Sequence, residues 1–114
     1  MKILIVDDDR QLNNKLCEYL TKNGIEASCT YDGVEALAYL QTNQCDLILM
    51  DIDMPNLDGI STLKKIKTFS NENKLFTSIT FPHKSIVVIY TITTNTIFIN
   101  LMFKFIEPFI KHLP

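Results

Sequence analysis

The apolar positions of this chain alternate between two rhythms. KILIV (2–6) is a short, continuous, largely β-branched run, the pattern of a strand buried on both faces. Beyond the acids at 7–9, Leu12, Leu16, Tyr19 and Leu20 recur at helical spacing, and Gly24 stands where such a helix would end. IEASCT (25–30) predicts a shorter, weaker strand. YDGVEALAYLQTN predicts a helix in which Asp32, with Glu35 three residues on, makes a capping-box pattern, and Val34, Leu37 and Leu40 make the apolar stripe. CDLILMD (45–51) predicts a third strand. GISTLKKIK (59–67) predicts a further helix with Ile60, Leu63 and Ile66 on one face. Strand and helix alternating three times predict a doubly wound α/β domain, with a mainly parallel sheet and helices on both faces.

A length of 114 residues fits one domain, 1–114, with a single modest core. A net charge of −2 gives no argument for a nucleic-acid surface. Cys17, Cys29 and Cys45 show no metal-ligand spacing and are expected as reduced thiols of a cytoplasmic protein. No leader is visible, because the chain turns strand-like after Lys2. His83 and His112 have no partners at metal spacing and are expected at the surface.

The chemistry lies in the acids. In a sheet of this kind, sites form beyond the carboxyl ends of the strands. The first strand ends in Asp7, Asp8 and Asp9, and the third ends in Asp51. If those strands are neighbours, the carboxylates converge. Unpaired, they would repel one another and resist burial. A hard cation removes that penalty, and Mg²⁺ accepts two carboxylates while keeping positions open for water or a phosphoryl group. Acids after strands also serve as helix N-caps, a role open to all three residues of the first cluster and the natural one for Asp9.

Three blocks, ILIVDDD, YDGVEAL and DLILMDIDMPNLDG, occurring in that order over about residues 2–67, resemble a response-regulator receiver domain of two-component signalling. The resemblance implies the flavodoxin-like receiver fold. It implies that Asp51 accepts a phosphoryl group from a histidine kinase or phosphotransfer protein, and that a downstream protein target reads the result. Asp8 would bind Mg²⁺ directly, Asp7 mainly through water, and the backbone carbonyl of Asp53 would be a further ligand. Pro55 and Gly59 would shape the following loop. An aspartate can serve as nucleophile in this way, and phosphoryl transfer asks mainly for in-line positioning and charge neutralisation.

From residue 68 the pattern departs from the family's. SIVVIYT (85–91) supplies a fourth strand and makes Thr91 the candidate switch hydroxyl. About ten residues more than the family needs separate it from Asp51. ITTNTIFINLMF is rich in β-branched residues where a helix would be expected. In FIEPF, Glu107 stands where the family carries a lysine beside the proline, and Lys104 would face the opposite way on a strand. From Leu75 to Pro114 there is no Gly, Ala or Asp. The segment reads as a diverged half of the fold, as a degenerate or truncated gene product, or as a membrane tail, which Thr93, Thr94, Asn95, Thr96 and Asn100 would make costly.

The expectation is therefore a single receiver-like phosphoacceptor without an attached output domain. It would be cytoplasmic, self-phosphorylating rather than an enzyme of turnover, and without nucleic-acid or membrane partners. Two alternatives stand beside it. One is a receiver-like interaction module whose switching is impaired by Glu107 and the altered C-terminal part. The other is a haloacid-dehalogenase-type phosphohydrolase using Asp51 and Asp53, which would need a later acidic motif, although no Asp follows Asp58.

Overall fold

A computed structural model describes residues 2–52, 54, 61–62, 64–66, 74–81, 84–91 and 104. Side chains of 74–81 and 84–91 are outside that description. Two helices, α1 (Arg10–Lys22) and α2 (Gly33–Thr42), separate the strands β1 (Lys2–Val6), β2 (Glu26–Thr30) and β3 (Leu47–Asp51). Residues 61–62 and 64–66 are helical, within the helix that the sequence predicts at 59–67. Two further strands follow, β4 (Lys74–Phe81) and β5 (Lys84–Thr91).

The sheet runs β2-β1-β3-β5-β4. β1 is parallel to β2 and to β3, so the chain steps to one side of β1 and then to the other. Such a reversal of strand order opens a crevice at the carboxyl ends of β1 and β3. The first three strands are thus those of a doubly wound, flavodoxin-like fold.

Each face of this parallel part has its helical cover. Tyr39 of α2 donates its hydroxyl to Ser28 Oγ at 3.2 Å, and Ser28 pairs with Leu4 in the sheet. Leu4, Val6, Ile48 and Met50 accordingly pack with Ala36 of α2, and with Met54 and Ile66. On the opposite face, Cys29 pairs with Ile5 in register and is joined to Cys17 of α1 by a disulfide. The expectation of three reduced thiols is corrected for the Cys17–Cys29 pair, which Cys45 does not join. Ile3 to Val6 and Leu47 to Met50 are all buried, which explains why both strands read as unbroken apolar runs. Each such side chain contributes about 1.5–3 kcal/mol of hydrophobic stabilisation.

The helix ends follow local chemistry. Asp9 caps α1 by accepting from the Leu12 amide at 3.1 Å, and Asp32 caps α2 by accepting from that of Glu35 at 2.8 Å. α1 stops in a Schellman turn. The amide of Ile25 donates to the Leu20 carbonyl and that of Gly24 to Thr21, with Gly24 at φ +80°. In α2 the expected stripe is corrected at one position, because Val34 is 59% exposed. Gly33 and Ala36 are buried, and Leu37 and Leu40 pack against the core, so the inner face runs 33, 36, 37, 40. At about 100° per residue, Val34 points well away from that line.

The second half departs from a parallel sheet. The strand expected at 85–91 exists, but it runs antiparallel to β3, with Leu47 opposite Tyr90 and Asp51 opposite Ile86. Residues 74–81, within the apparently superfluous stretch, form another strand that pairs antiparallel with β5. Only two residues separate β4 from β5 in sequence. A link that short joins antiparallel neighbours, whereas a parallel pair needs a crossover of about a dozen residues. Pro55, Gly59, His83, Glu107 and His112 lie outside the described residues. Lys104 is helical and exposed rather than on a strand.

Candidate acidic metal and phosphoacceptor site

The parallel register of β1 and β3 builds the site. Val6 lies opposite Met50, so the next residue of each strand, Asp7 and Asp51, emerges at the same end of the crevice. The register is held at the far end as well. The Lys2 amide donates to Asp46 Oδ2 at 2.9 Å, and the Asp46 amide donates to the Lys2 carbonyl at 2.9 Å. Slipping β3 by one residue would break both bonds and turn its buried side chains to the wrong face.

One carboxylate oxygen from each of Asp7, Asp8 and Asp51 lies within 4.8 Å of the other two. Asp7 is buried, Asp51 half-buried and Asp8 exposed. The backbone around Asp7 is fixed from several sides. Its amide donates to the Thr30 carbonyl at 3.1 Å, and its Oδ1 accepts from the Asp9 amide at 3.0 Å. Asn13, fully buried on α1, donates Nδ2 to the carbonyls of both Asp7 (3.1 Å) and Thr30 (2.7 Å). Thr30 Oγ1 donates in turn to the Ile5 carbonyl at 3.1 Å.

Three like charges this close repel by about 3–4 kcal/mol per pair at an effective dielectric of about 20. The donor set suits a small hard cation. Oxygens on opposite sides of an octahedral Mg²⁺ stand about 4.2 Å apart, so carboxylates within 4.8 Å of one another would need to close by only a few tenths of an ångström to hold it. Asp7, Asp8 and Asp51, which the sequence singled out, are brought together. Asp53 lies outside the described residues. The backbone of Thr91 stands away from the acidic end of β3. Its strand runs the other way, so Thr91 follows the partner of Leu47 at the opposite end of β3 from Asp51.

Asn13 and Thr30 escaped the sequence reading. The available signal was a polar residue at 13, on the line through the buried positions 16, 17 and 20 of α1. A buried polar residue on such a line must be hydrogen-bonded to something, and here it is bonded to the loop that carries Asp7.

The family model of the response regulator receiver domain matches residues 3–96, past the point where the recognisable motifs end. The transcriptional regulatory protein CpxR of Klebsiella pneumoniae is 46% identical over 66 residues, which cover 58% of this chain and 28% of that protein. The response regulator MprA of Mycobacterium avium is 35% identical over 72 residues, covering 63% of this chain and 32% of MprA. The chain therefore spans about a third of the length of the curated relatives it matches. Among solved structures, the receiver domain of Francisella response regulator 1452 superposes with a TM-score of 0.57 at 40% identity, over 60% of this chain and 56% of that one. The response regulator TrrA of Thermotoga maritima, solved in complex with Mg(2+)-BeF, gives a TM-score of 0.57 at 32% identity, over 60% of each chain.

Proposed function

The chain belongs to the response regulator receiver domain family, and from that premise we propose that it is the phosphoacceptor of a two-component system, modified on Asp51. The observation that carries this reading is the convergence of the Asp7, Asp8 and Asp51 carboxylates within 4.8 Å. An Asp51 carboxylate oxygen attacks the phosphorus of a phosphohistidine on a histidine kinase or phosphotransfer protein. The P–N bond breaks, the imidazole nitrogen leaves and takes up a proton, and Asp51 holds the phosphoryl group as a mixed anhydride. Asp8 and Asp51, with the Asp53 carbonyl, would hold Mg²⁺, and Asp7 would act on it mainly through water. Mg²⁺, when bound, draws negative charge from the phosphoryl oxygens. Asn13 and Thr30 keep Asp7 in place throughout.

The domain labels itself once per cycle and is not an enzyme of turnover. Membership of this family sets aside the haloacid-dehalogenase alternative. No helix among the described residues is long and apolar enough to cross a membrane. The proposed setting is the cytoplasm, with a kinase upstream, a protein target downstream and no direct nucleic-acid contact. The unit proposed is a single receiver-like domain over 1–114, with 68–114 as its divergent portion.

One observation favours a second reading, an interaction module with impaired switching. The antiparallel β5 sets the backbone of Thr91 at the far end of β3 from Asp51, and the resemblance would put Glu107 in the place of the family's lysine. The two readings part on one experiment. Acetyl phosphate or phosphoramidate with Mg²⁺ should add one phosphoryl group by intact mass, and none in Asp51→Asn. Labelling that persists in that variant overturns the phosphoacceptor assignment. No labelling of the wild-type chain favours the module.

A further inference from the structure

We propose that Cys17 and Cys29 form a reversible thiol–disulfide clasp that fixes α1 against β2, and through α1 the buried Asn13 bridge to Asp7. Cys17 lies on α1 and Cys29 on β2, with a sequence separation of 12 and a Cα–Cα distance of 6.6 Å, inside the span that a disulfide can bridge. Cys17 follows Asn13 by four residues and so lies on the same face of the helix, one turn further on. Cys29 is followed directly by Thr30, whose carbonyl Asn13 binds. The covalent link therefore joins the same two elements as the Asn13 bridge, one turn away from it.

The site accommodates both redox forms. Cys29 Sγ lies 3.8 Å from the Asn13 carbonyl oxygen, which gives its reduced S–H a weak acceptor. Access is unequal. Cys17 is buried, whereas Cys29 is half-buried, so Cys29 meets an oxidant first. With a low-molecular-weight disulfide as oxidant, the Cys29 thiolate attacks one sulfur and expels a thiol, leaving a mixed disulfide. The Cys17 thiolate then attacks the Cys29 sulfur, the protein S–S bond forms and the second thiol leaves. The protein pair loses two electrons and two protons, and the reagent is reduced to two thiols. Excess dithiol reverses the sequence.

The test uses the full chain carrying Cys45→Ser, which removes the third thiol. Glutathione disulfide should lower the intact mass by two hydrogens and yield a Cys17–Cys29 linked peptide without a lasting glutathione adduct. In Cys17→Ser, which lacks the resolving thiol, the adduct should persist on Cys29. Closing a loop of this size should shift the unfolding equilibrium on the order of a hundredfold. Amide exchange across 16–20 and at the Asn13 side chain should slow by at least about tenfold, and dithiothreitol should restore both. Lasting adducts with no linked peptide would overturn the clasp. So would a bond that forms and leaves exchange in α1 and at Asn13 unchanged.

Discussion

Asn13 holds Asp7 by its backbone rather than by its carboxylate. Nδ2 donates to the Asp7 carbonyl at 3.1 Å and shares itself with Thr30 at 2.7 Å. The carboxylate of Asp7, whose Oδ1 accepts from the Asp9 amide, therefore sits on a backbone held by a helix residue that carries no charge. Asn13→Leu removes both donors and leaves two carbonyls short of a partner. The Asn13 Oδ1, itself without a hydrogen bond among the described residues, is removed as well, which softens the loss. The expected cost is about 1–3 kcal/mol in urea unfolding, together with weaker Mg²⁺ binding. Unchanged Mg²⁺ affinity would mean that the bridge stabilises the fold without setting the site.

The acidic cluster makes a prediction whose sign depends on the metal. Without divalent cations, Asp51→Asn relieves repulsion at a half-buried position and should raise stability by about 1–2 kcal/mol, the pairwise figure being reduced by solvent. Saturating Mg²⁺ should stabilise the wild-type chain through RT ln(1 + [L]/Kd) and stabilise Asp51→Asn much less. Thermal melts of both proteins in EDTA and in Mg²⁺ read the crossover. Parallel shifts in the two proteins would show that the cation binds elsewhere.

Gly24 isolates a backbone effect. Its φ of +80° is a left-handed conformation, and an added Cβ would meet nothing within 4 Å. Gly24→Ala should therefore cost about 1–2 kcal/mol by conformation alone, and Gly24→Asn less. Equal costs for the two variants would point to a packing clash instead.

How much of this was legible follows from where each signal resides. β1 and β3 were readable because strands covered on both faces become unbroken apolar runs, and α1 because its apolar side chains mark the buried face. Val34 misled because the buried Gly33 has no side chain to announce the face it lies on. Asp7, Asp8 and Asp51 could be grouped because strand ends in a doubly wound sheet share one edge. Asn13 and the Cys17–Cys29 pair were hidden, since both depend on how α1 docks on β2, which neither sequence spacing nor composition encodes. The direction of β5 was hidden too. A period of two residues looks the same whichever way a strand runs, and only the two-residue separation from β4 distinguishes the cases.

That direction makes the sharpest test of the C-terminal half. A switch hydroxyl must come within hydrogen-bonding distance of a phosphoryl group on Asp51, about 3 Å between heavy atoms. In the observed register Tyr90 faces Leu47 and Ile86 faces Asp51. Thr91 lies one residue beyond Tyr90, so roughly five residues of strand, about 16 Å, separate it from the acidic end. Thr91→Ala should then leave the rate and yield of Asp51 labelling by phosphoramidate within about twofold of wild type. The backbone gives an independent check. Cross-strand contacts should alternate along the pairs from Leu47–Tyr90 to Asp51–Ile86, Hα to Hα at the non-hydrogen-bonded pairs and amide to amide at the hydrogen-bonded ones, as antiparallel pairing requires. A tenfold or greater fall in labelling, with those contacts absent, would place β5 parallel to β3 and return Thr91 to the site.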